Sequence, residues 1–331
     1  MRARMGAWAE LLRLPALFTV PGDALAGAAA VAARPDHRTL LAIGSSLCLY
    51  EAGMALNDWA DRAEDAVERP HRPLPSGRVS PTAAFTAACA FTAAGLALAA
   101  RAGRPALTVA APLAVTVWSY DLALKHTTAG PFAMAAARGL DLLLGAAATA
   151  GRTRPALPSA ALLTTHTLAL TTLSRQETRA GTPTAALAAL ATTGALTWLL
   201  QRGQSPDEEP RSHQGRPPHD RPAHAPSPHA PSPHNPLVRT LLAHGRPARR
   251  RPTPLTVALA AAYATTTARP YLHASLNPSP PLTQRAVGAG IRATIPLQAA
   301  LTARSGATTT ALLTAALAPV ARKLARRVSI T

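Results

Sequence analysis

The stretch NDWADRAED at positions 57–65 holds four of the chain's 16 acidic residues. If it continues a helix, Asp58, Asp61 and Asp65 fall at i, i+3 and i+7, which places three carboxylates on one face with Asn57 beside Asp61. Like charges this close repel each other, so such a face is stable only when something positive neutralises it. The spacing therefore predicts a bound cation or a set of basic side chains opposite these carboxylates.

Carboxylate and amide oxygens suit a hard cation such as Mg²⁺, which keeps several waters and is usually shared between carboxylates and substrate phosphates. Three arginines follow the acidic stretch, at Arg69, Arg72 and Arg78, and they could hold the remaining phosphate charge. The alternative is an acidic loop that is solvated at a membrane surface and balanced by the same arginines. Charge alone leaves both interpretations open.

The longer run NDWADRAEDAVERPHRPLPSGRVS, residues 57–80, resembles the first aspartate-rich motif of the UbiA family of intramembrane prenyltransferases. It keeps the N-D-x-x-D-x-x-x-D pattern and the R-P-x-x-S-G tail. The resemblance extends more weakly over residues 11–201 and 253–321. It implies an all-α, polytopic membrane helix bundle in which the motif binds Mg²⁺ and the diphosphate of an isoprenoid donor. The metal ligands that it implies are Asn57, Asp58, Asp61 and Asp65.

Charged residues make up only 15% of the chain and cluster between long apolar runs, which favours a membrane protein over two soluble domains. A bilayer span requires about 20 mostly apolar residues. The small residues in these runs would allow close helix packing in lipid. About nine or ten spans are predicted, at 11–33, 38–56, 82–100, 105–121, 130–150, 157–173, 183–201, 253–272, 286–303 and 307–321.

The net charge of +18 does not indicate nucleic-acid binding. The basic residues flank apolar segments or lie in a polar insertion, and an aromatic content of 4% leaves no platform on which bases could stack. Cys48 and Cys89 both lie in apolar stretches, where packing explains them better than a disulfide. The first apolar segment lacks a small-residue cleavage site, so we expect it to be retained as a span.

Several polar residues occur in or beside the apolar segments. The resemblance implies that Tyr120 and Lys125 point into the active cavity, with Lys125 acting on the diphosphate; the alternative is an interfacial Tyr and a Lys at a helix end. Arg138 and Asp141, spaced i, i+3 in the fifth span, form either a local ion pair or part of a substrate path as binding and catalytic residues. Asp23 either lines the same cavity or lies near a helix bend.

The stretch LSRQETRAG at 173–181 occupies the place of the family's second aspartate-rich motif but contains a single acid, Glu177. One carboxylate could still hold one Mg²⁺ together with a phosphate, while Arg175 and Arg179 supply positive charge in place of a second ion. The same loss of acids is compatible with a different substrate or with a protein that no longer catalyses.

Residues 202–252 interrupt the pattern of apolar segments. They are rich in Pro, His, Ser and charge and have no apolar periodicity, which predicts a disordered loop insertion between the two parts of one transmembrane domain, 1–201 and 253–331. Histidines recur every five positions from 219 to 234, and a low-complexity linker explains them better than a metal-binding tract. Short basic loops place both motif loops on the cytoplasmic side of the cell membrane.

These features predict a Mg²⁺-dependent membrane prenyltransferase that moves a prenyl group from a polyprenyl diphosphate to an unidentified acceptor. Arg69, Arg72 and Arg175 would bind the donor. Asp141 and Glu177 are the candidate general bases. The rival hypothesis is a non-catalytic membrane protein that binds or moves a prenylated lipid. A secondary transporter is disfavoured, because nothing in the sequence indicates inverted repeats.

Overall fold

The computed structural model describes residues 2–177, 182–202 and 252–328. Most of these residues lie in helices, and none of them lies in a strand. Residues 203–251 of the predicted insertion lie outside the described residues, as do residues 178–181 of the second motif. The twelve α-helices of the described chain are α1 Arg2–Leu11, α2 Val20–Ala30, α3 His37–Ala60, α4 Arg62–Glu68, α5 Pro81–Ala102, α6 Arg104–Ser119, α7 Gly130–Ala150, α8 Leu157–Ser174, α9 Pro183–Gln201, α10 Pro254–Leu276, α11 Pro280–Arg304 and α12 Thr308–Val328. Shorter helical turns are the 3₁₀ segments Leu14–Thr19 and Arg154–Ala156 and the π-helical turn Tyr120–Leu124.

Polar caps define where the long helices begin. The side chain of Asp36 accepts hydrogen bonds from the backbone N–H groups of Arg38 and Thr39, both at 3.0 Å, and the Thr39 hydroxyl accepts from the Asp36 N–H in return. This capping box starts α3, whose 24 residues extend for about 36 Å and exceed the thickness of a bilayer core. The side chains of Ser80 and Thr253 each accept one backbone N–H at the starts of α5 and α10, and a proline follows each of them.

Five helical segments of the described chain are both long and apolar enough to cross a membrane. They are His37–Ala60, Pro81–Ala102, Arg104–Leu124, Gly130–Ala150 and Pro183–Gln201. The helices α8, α10, α11 and α12 have 18 to 25 residues and correspond to four further predicted spans, but they are less apolar. The first predicted span is shorter than expected, because the chain makes a 3₁₀ turn before α2 begins. Prolines at positions 15 and 21 accompany this turn.

Small residues bring the helices into close contact. A Cβ atom on Gly27 of α2 would collide with the backbone of Leu142 and Ala146 in α7, and one on Gly145 would collide with the backbone of Ala24. The two helices therefore touch backbone to backbone, as predicted from the abundance of small residues. Outward faces carry large apolar side chains, including Leu40, Val115, Phe132 and Trp198, as expected for surfaces in contact with lipid.

Candidate active site

A cavity of about 520 Å³ lies between α3, α6 and α7. Apolar side chains such as Leu49, Leu113, Val117 and Met134 form part of its wall, and polar groups collect at its ends. The polar residues that line it are Arg13, Ser46, Tyr50, Asn57, Asp61, Arg69, Arg72, Tyr120, Asp121, Arg138, Asp141 and Ser174. Polar groups beside a partly apolar wall suit a substrate that carries an apolar chain on a charged head.

The first acidic motif forms one end of the cavity, which we call the outer end. Helix α3 stops at Ala60 and α4 starts at Arg62, yet the helical path continues through Asp61, because Asp61 N–H donates to Asn57 O at 3.0 Å and Asp65 N–H donates to Asp61 O at 2.8 Å. Asn57 and Asp61 line the cavity. The expectation of a helical path through the motif is therefore met, with a change of helix at Asp61.

The other two carboxylates of the motif lie behind arginines. Asp65, 2% exposed, contacts Arg72 at 2.8 Å and Arg69 at 3.3 Å, while Asp58, 4% exposed, contacts Arg13 at 3.1 Å and Arg72 at 3.8 Å. In this structure Asp58 and Asp65 place the three guanidinium groups, and those groups line the cavity. Asp58 and Asp65, predicted as metal ligands, are thus paired with arginines in this structure and do not line the cavity themselves.

A π-helical turn at the end of α6 brings a second set of polar groups to the same end. Lys125 N–H donates to Tyr120 O at 2.9 Å, the i→i+5 bond that defines the turn. Lys125 forms an ion pair with Asp61, and Asn57 Nδ2 donates to Asp121 Oδ1 at 3.0 Å. Tyr120 and Asp121 line the cavity, and Lys125 reaches it through Asp61. Two distant parts of the sequence therefore build one site.

The other end of the cavity, which we call the inner end, carries Arg138 and Asp141 of α7. Arg138 does not form the local ion pair with Asp141 that its spacing suggested. It pairs instead with Asp23 of α2 at 3.0 Å, and Asp141 accepts a hydrogen bond from Ser46 of α3. Asp23 is fully buried against this arginine, so it is part of the polar network behind the cavity wall and does not merely accompany a helix bend.

The second motif region lies at the edge of the site. Ser174 lines the cavity, but the guanidinium of Arg175 donates to the backbone carbonyls of Thr127 and His126 and is not part of the lining. Glu177 is half-buried and does not line the cavity either; burial raises the pKa of its carboxyl group. Within the described residues, the predicted second carboxylate position is therefore separate from the cavity.

Arg78, the third arginine of the motif tail, is also outside the cavity lining. Its guanidinium contacts both carboxylate oxygens of Glu10, at 2.7 and 3.2 Å, and this hydrogen bonding raises the pKa of Arg78. The side chain therefore ties the end of the motif to α1 and is not directed at a substrate.

Residues 17–201, more than half of the chain, match the model of the UbiA prenyltransferase family. The chain belongs to this family. Among curated relatives, the digeranylgeranylglyceryl phosphate synthase of Methanopyrus kandleri is 38% identical over 128 residues, which cover 37% of this chain and 45% of the relative. The chloroplastic chlorophyll synthase of Oryza sativa subsp. japonica is 43% identical over 56 residues, 17% of this chain and 15% of that protein. The chain thus matches less than half the length of these curated relatives.

Solved structures share the fold of this UbiA family member. A UbiA homolog from Archaeoglobus fulgidus, bound to DMAPP and Mg²⁺, superposes with a TM-score of 0.54 at 16% identity and covers 91% of this chain and 98% of its own. A UbiA homolog from Aeropyrum pernix, solved in its apo form, gives a TM-score of 0.57 at 16% identity over 86% of this chain and 96% of its own. The predicted all-α, multi-pass membrane bundle is therefore confirmed.

The donor atoms at the outer end suit a hard divalent cation. Asn57, Asp61 and Asp121 contribute amide and carboxylate oxygens from two different elements. Ligand atoms of Asp61, Glu64 and His126 also lie within 4.8 Å of one another. Oxygen donors of this kind are those that Mg²⁺ prefers, whereas an imidazole is more typical of transition metals. The residues present in this UbiA protein therefore fit the predicted ion.

Sequence reasoning missed some residues of this site. Asp121 stands in the stretch that also contains Tyr120 and Lys125, but only the π-helical turn directs it to Asn57. Arg13 lies in the left-handed region with φ 47°, an uncommon conformation for an arginine, and this backbone geometry accompanies its contact with Asp58. Asp121 precedes Lys125 by one helical turn, and this spacing could have identified it. Nothing in the sequence indicates the left-handed conformation of Arg13.

Proposed function

We propose that this protein transfers a prenyl group from an isoprenoid diphosphate to an acceptor inside a membrane. The supporting observation is the meeting of Asn57 and Asp61 with Tyr120, Asp121 and Lys125 at one end of a cavity whose neighbouring wall is apolar. Such a site can hold a diphosphate at its polar end and an isoprenoid chain along the wall. The A. fulgidus homolog, which was solved with DMAPP and Mg²⁺, supports the same donor class for this chain.

Asn57 and Asp61 would hold Mg²⁺, with Asp121, Asp58 and Asp65 as the other nearby carboxylates. When bound, the ion would neutralise charge on the diphosphate and make it a better leaving group. Arg69 and Arg72 line the same end and would donate hydrogen bonds to phosphate oxygens that the ion does not reach. Asp58 and Asp65 hold these guanidinium groups in position, which reduces the cost of ordering them when the donor binds.

Lys125 would stabilise negative charge on the departing diphosphate, since it already lies against Asp61 at the polar end. The apolar side chains Leu113, Val117 and Met134 would exclude water from the allylic carbon and so favour transfer over hydrolysis. An acceptor nucleophile then captures this carbon.

We place the protein in the cell membrane, with both motif loops on the cytoplasmic side, because the short loops that carry them are basic.

A non-catalytic protein that binds a prenylated lipid is the second candidate. It is supported by the position of Glu177, which is the sole acid of the described part of the second motif and lies apart from the cavity. The buried carboxylates of the first motif oppose it, because charges at such depth are costly when they serve no function.

The test uses full-length protein in liposomes, labelled prenyl diphosphates of several chain lengths, Mg²⁺ and a cell extract as the source of acceptors. We expect a prenylated product from the wild type and none from Asp61→Ala, which should also lose Mg²⁺-dependent donor binding. Glu10→Ala is the control, since this acid is 45% exposed and pairs with Arg78, which does not line the cavity. Donor binding without any product from the wild type would favour the lipid-binding candidate, and unchanged binding in Asp61→Ala would contradict the assignment of the metal site.

A further inference from the structure

Five polar side chains from four helices form one buried network at the inner end of the cavity. We call Asp23, Ser46, Arg138, Asp141 and Gln298 the inner polar cluster. Asp23 and Gln298 are fully buried, and Ser46 and Asp141 are 2% and 7% exposed. Ser46, Arg138 and Asp141 also line the cavity, so the cluster presents hydrogen-bonding groups to anything that enters it.

The inner polar cluster is separate from the proposed diphosphate site. Ser46 precedes Asn57 by eleven residues on α3, which corresponds to about 16 Å along the helix axis. Tyr50 and Met54 line the cavity between these two levels, so the space is continuous from one end to the other. A donor held at Asn57 and a second molecule held at Ser46 can therefore occupy the same cavity.

The charges of the inner polar cluster are already matched internally. Arg138 contacts Asp23 at 3.0 Å and the Thr19 carbonyl at 3.2 Å, and Gln298 Nε2 donates to Asp23 Oδ1 at 2.6 Å and to Thr19 O at 2.7 Å. Asp141 accepts a hydrogen bond from Ser46 and lies close to the carboxyl group of Asp23. The cluster has two carboxyl groups and one guanidinium, so its acidic groups outnumber its basic one. No positive charge is left over for an anionic ligand.

From this arrangement we infer that the inner polar cluster binds the acceptor, and that the acceptor is a small, uncharged polyhydroxy compound such as a sugar or polyol. The inference rests on the proposed prenyl transfer. Hydroxyl groups both donate and accept, which matches a wall where Asp141 accepts, Arg138 donates, and Ser46 does both. A carboxylate or phosphate on the acceptor would face Asp141 without a free cation, and an apolar acceptor would leave buried polar groups poorly satisfied.

The transfer balances with these groups. A hydroxyl oxygen of the acceptor forms a bond to the first carbon of the prenyl group, while the bond from that carbon to the diphosphate oxygen breaks and its electron pair leaves with the diphosphate. The hydroxyl proton passes to the Asp141 carboxylate and then to water. Nothing is oxidised or reduced. Asp23 acts as a positioning residue because it pairs with Arg138, and Gln298 donates in turn to Asp23; neither lines the cavity.

The experiment uses the full-length protein in liposomes with labelled geranyl diphosphate and Mg²⁺. Uncharged probes are glycerol, glucose and inositol; anionic probes are glycerol 1-phosphate and 4-hydroxybenzoate. We expect product and saturable binding with at least one uncharged probe and with neither anion. Asp141→Asn should lower kcat/KM for that probe at least about 100-fold while the Kd of the donor stays unchanged.

Glu51→Gln is the matched control, because Glu51 is also 7% exposed in a membrane helix but does not line the cavity. Its kcat/KM should equal that of the wild type. If Asp141→Asn fails to fold, Ser46→Ala replaces it, with a KM for the uncharged probe raised about tenfold and the donor Kd retained. Transfer to an anion in preference to every uncharged probe, or wild-type kinetics in both cluster variants, overturns the inference.

The two proposals can fail separately. If the donor neither binds nor reacts, prenyl transfer is wrong, and binding of the uncharged probes still decides whether the inner polar cluster is a polyol site. If the donor binds and reacts but no uncharged probe binds, the proposed function stands and the acceptor class is wrong.

Discussion

The guanidinium of Arg72 lies 2.8 Å from the carboxylate of Asp65, seven residues earlier in the chain. The same group is 3.8 Å from Asp58, so one cation of the motif tail serves two buried acids of the motif itself. The basic tail and the acidic helix end thus form a single electrostatic unit. Removing either part should affect folding as well as ligand binding.

Arg72→Ala should destabilise the protein more than Arg69→Ala. Arg72 is 24% exposed and contacts two buried acids, whereas Arg69 is 42% exposed and contacts Asp65 and the exposed Glu68. Loss of one partner from a buried pair costs about 3–5 kcal/mol, and the partial exposure of Arg72 reduces this to roughly 1–3 kcal/mol. Thermal unfolding in detergent measures the difference. Equal melting temperatures for the two variants would show that the contact between Arg72 and Asp58 adds no stability.

Asp121→Ala should weaken donor binding at least about tenfold, because the amide of Asn57 would lose the acceptor that orients it. Asp121→Asn keeps an acceptor oxygen and should lie between the alanine variant and the wild type. Titration with a non-hydrolysable diphosphate at fixed Mg²⁺ gives the three affinities. An asparagine variant as weak as the alanine variant would mean that the charge of Asp121, and not the hydrogen bond, is what matters.

Glu177→Gln should retain turnover within about threefold, because the side chain does not line the cavity. Its stability should respond to pH. Burial raises the pKa of Glu177 above 4.5 in the folded protein, so the folded state holds the proton more tightly than the unfolded state. The wild type should therefore lose stability as pH rises from 4.5 through the raised pKa, and the variant should not. A loss of turnover by orders of magnitude would instead identify Glu177 as a second metal ligand.

Deleting residues 206–246 should leave assembly and prenyl transfer nearly unchanged. This segment is rich in Pro, His and Ser and has no apolar periodicity, which predicts a loop without buried contacts. Such a loop affects stability only through the entropy of closing it. The amount of folded protein extracted from membranes, compared with the intact chain, tests this. Loss of folded protein would indicate that the segment packs.

The sequence predicted the family and the helical class, and it named several of the residues that meet at the outer end of the cavity, because these depend on local patterns. Asn57 and Asp61 belong to one continuous motif. The family resemblance carried by this motif assigned a role to Lys125. The partner of Arg138 was not predictable in this way. Asp23 lies 115 residues away, and a neighbouring acid at i+3 offered a plausible local alternative. Long-range pairing depends on which helices touch, and the apolar runs here are too alike to encode that choice.

The outer end of the cavity differs from the inner end in the elements that form it. An ion pair with Lys125, the seven-residue helix α4 and the π-helical turn surround Asp61. The inner end rests on α2 and α7, whose backbones touch at Gly27 and Gly145. A contact with no intervening side chains leaves no rotamers to adjust, so this wall cannot remodel itself around different acceptors. Changes in acceptor preference within the family would then arise by replacing residues at this wall, while tolerance for donors of different length would arise by induced fit elsewhere.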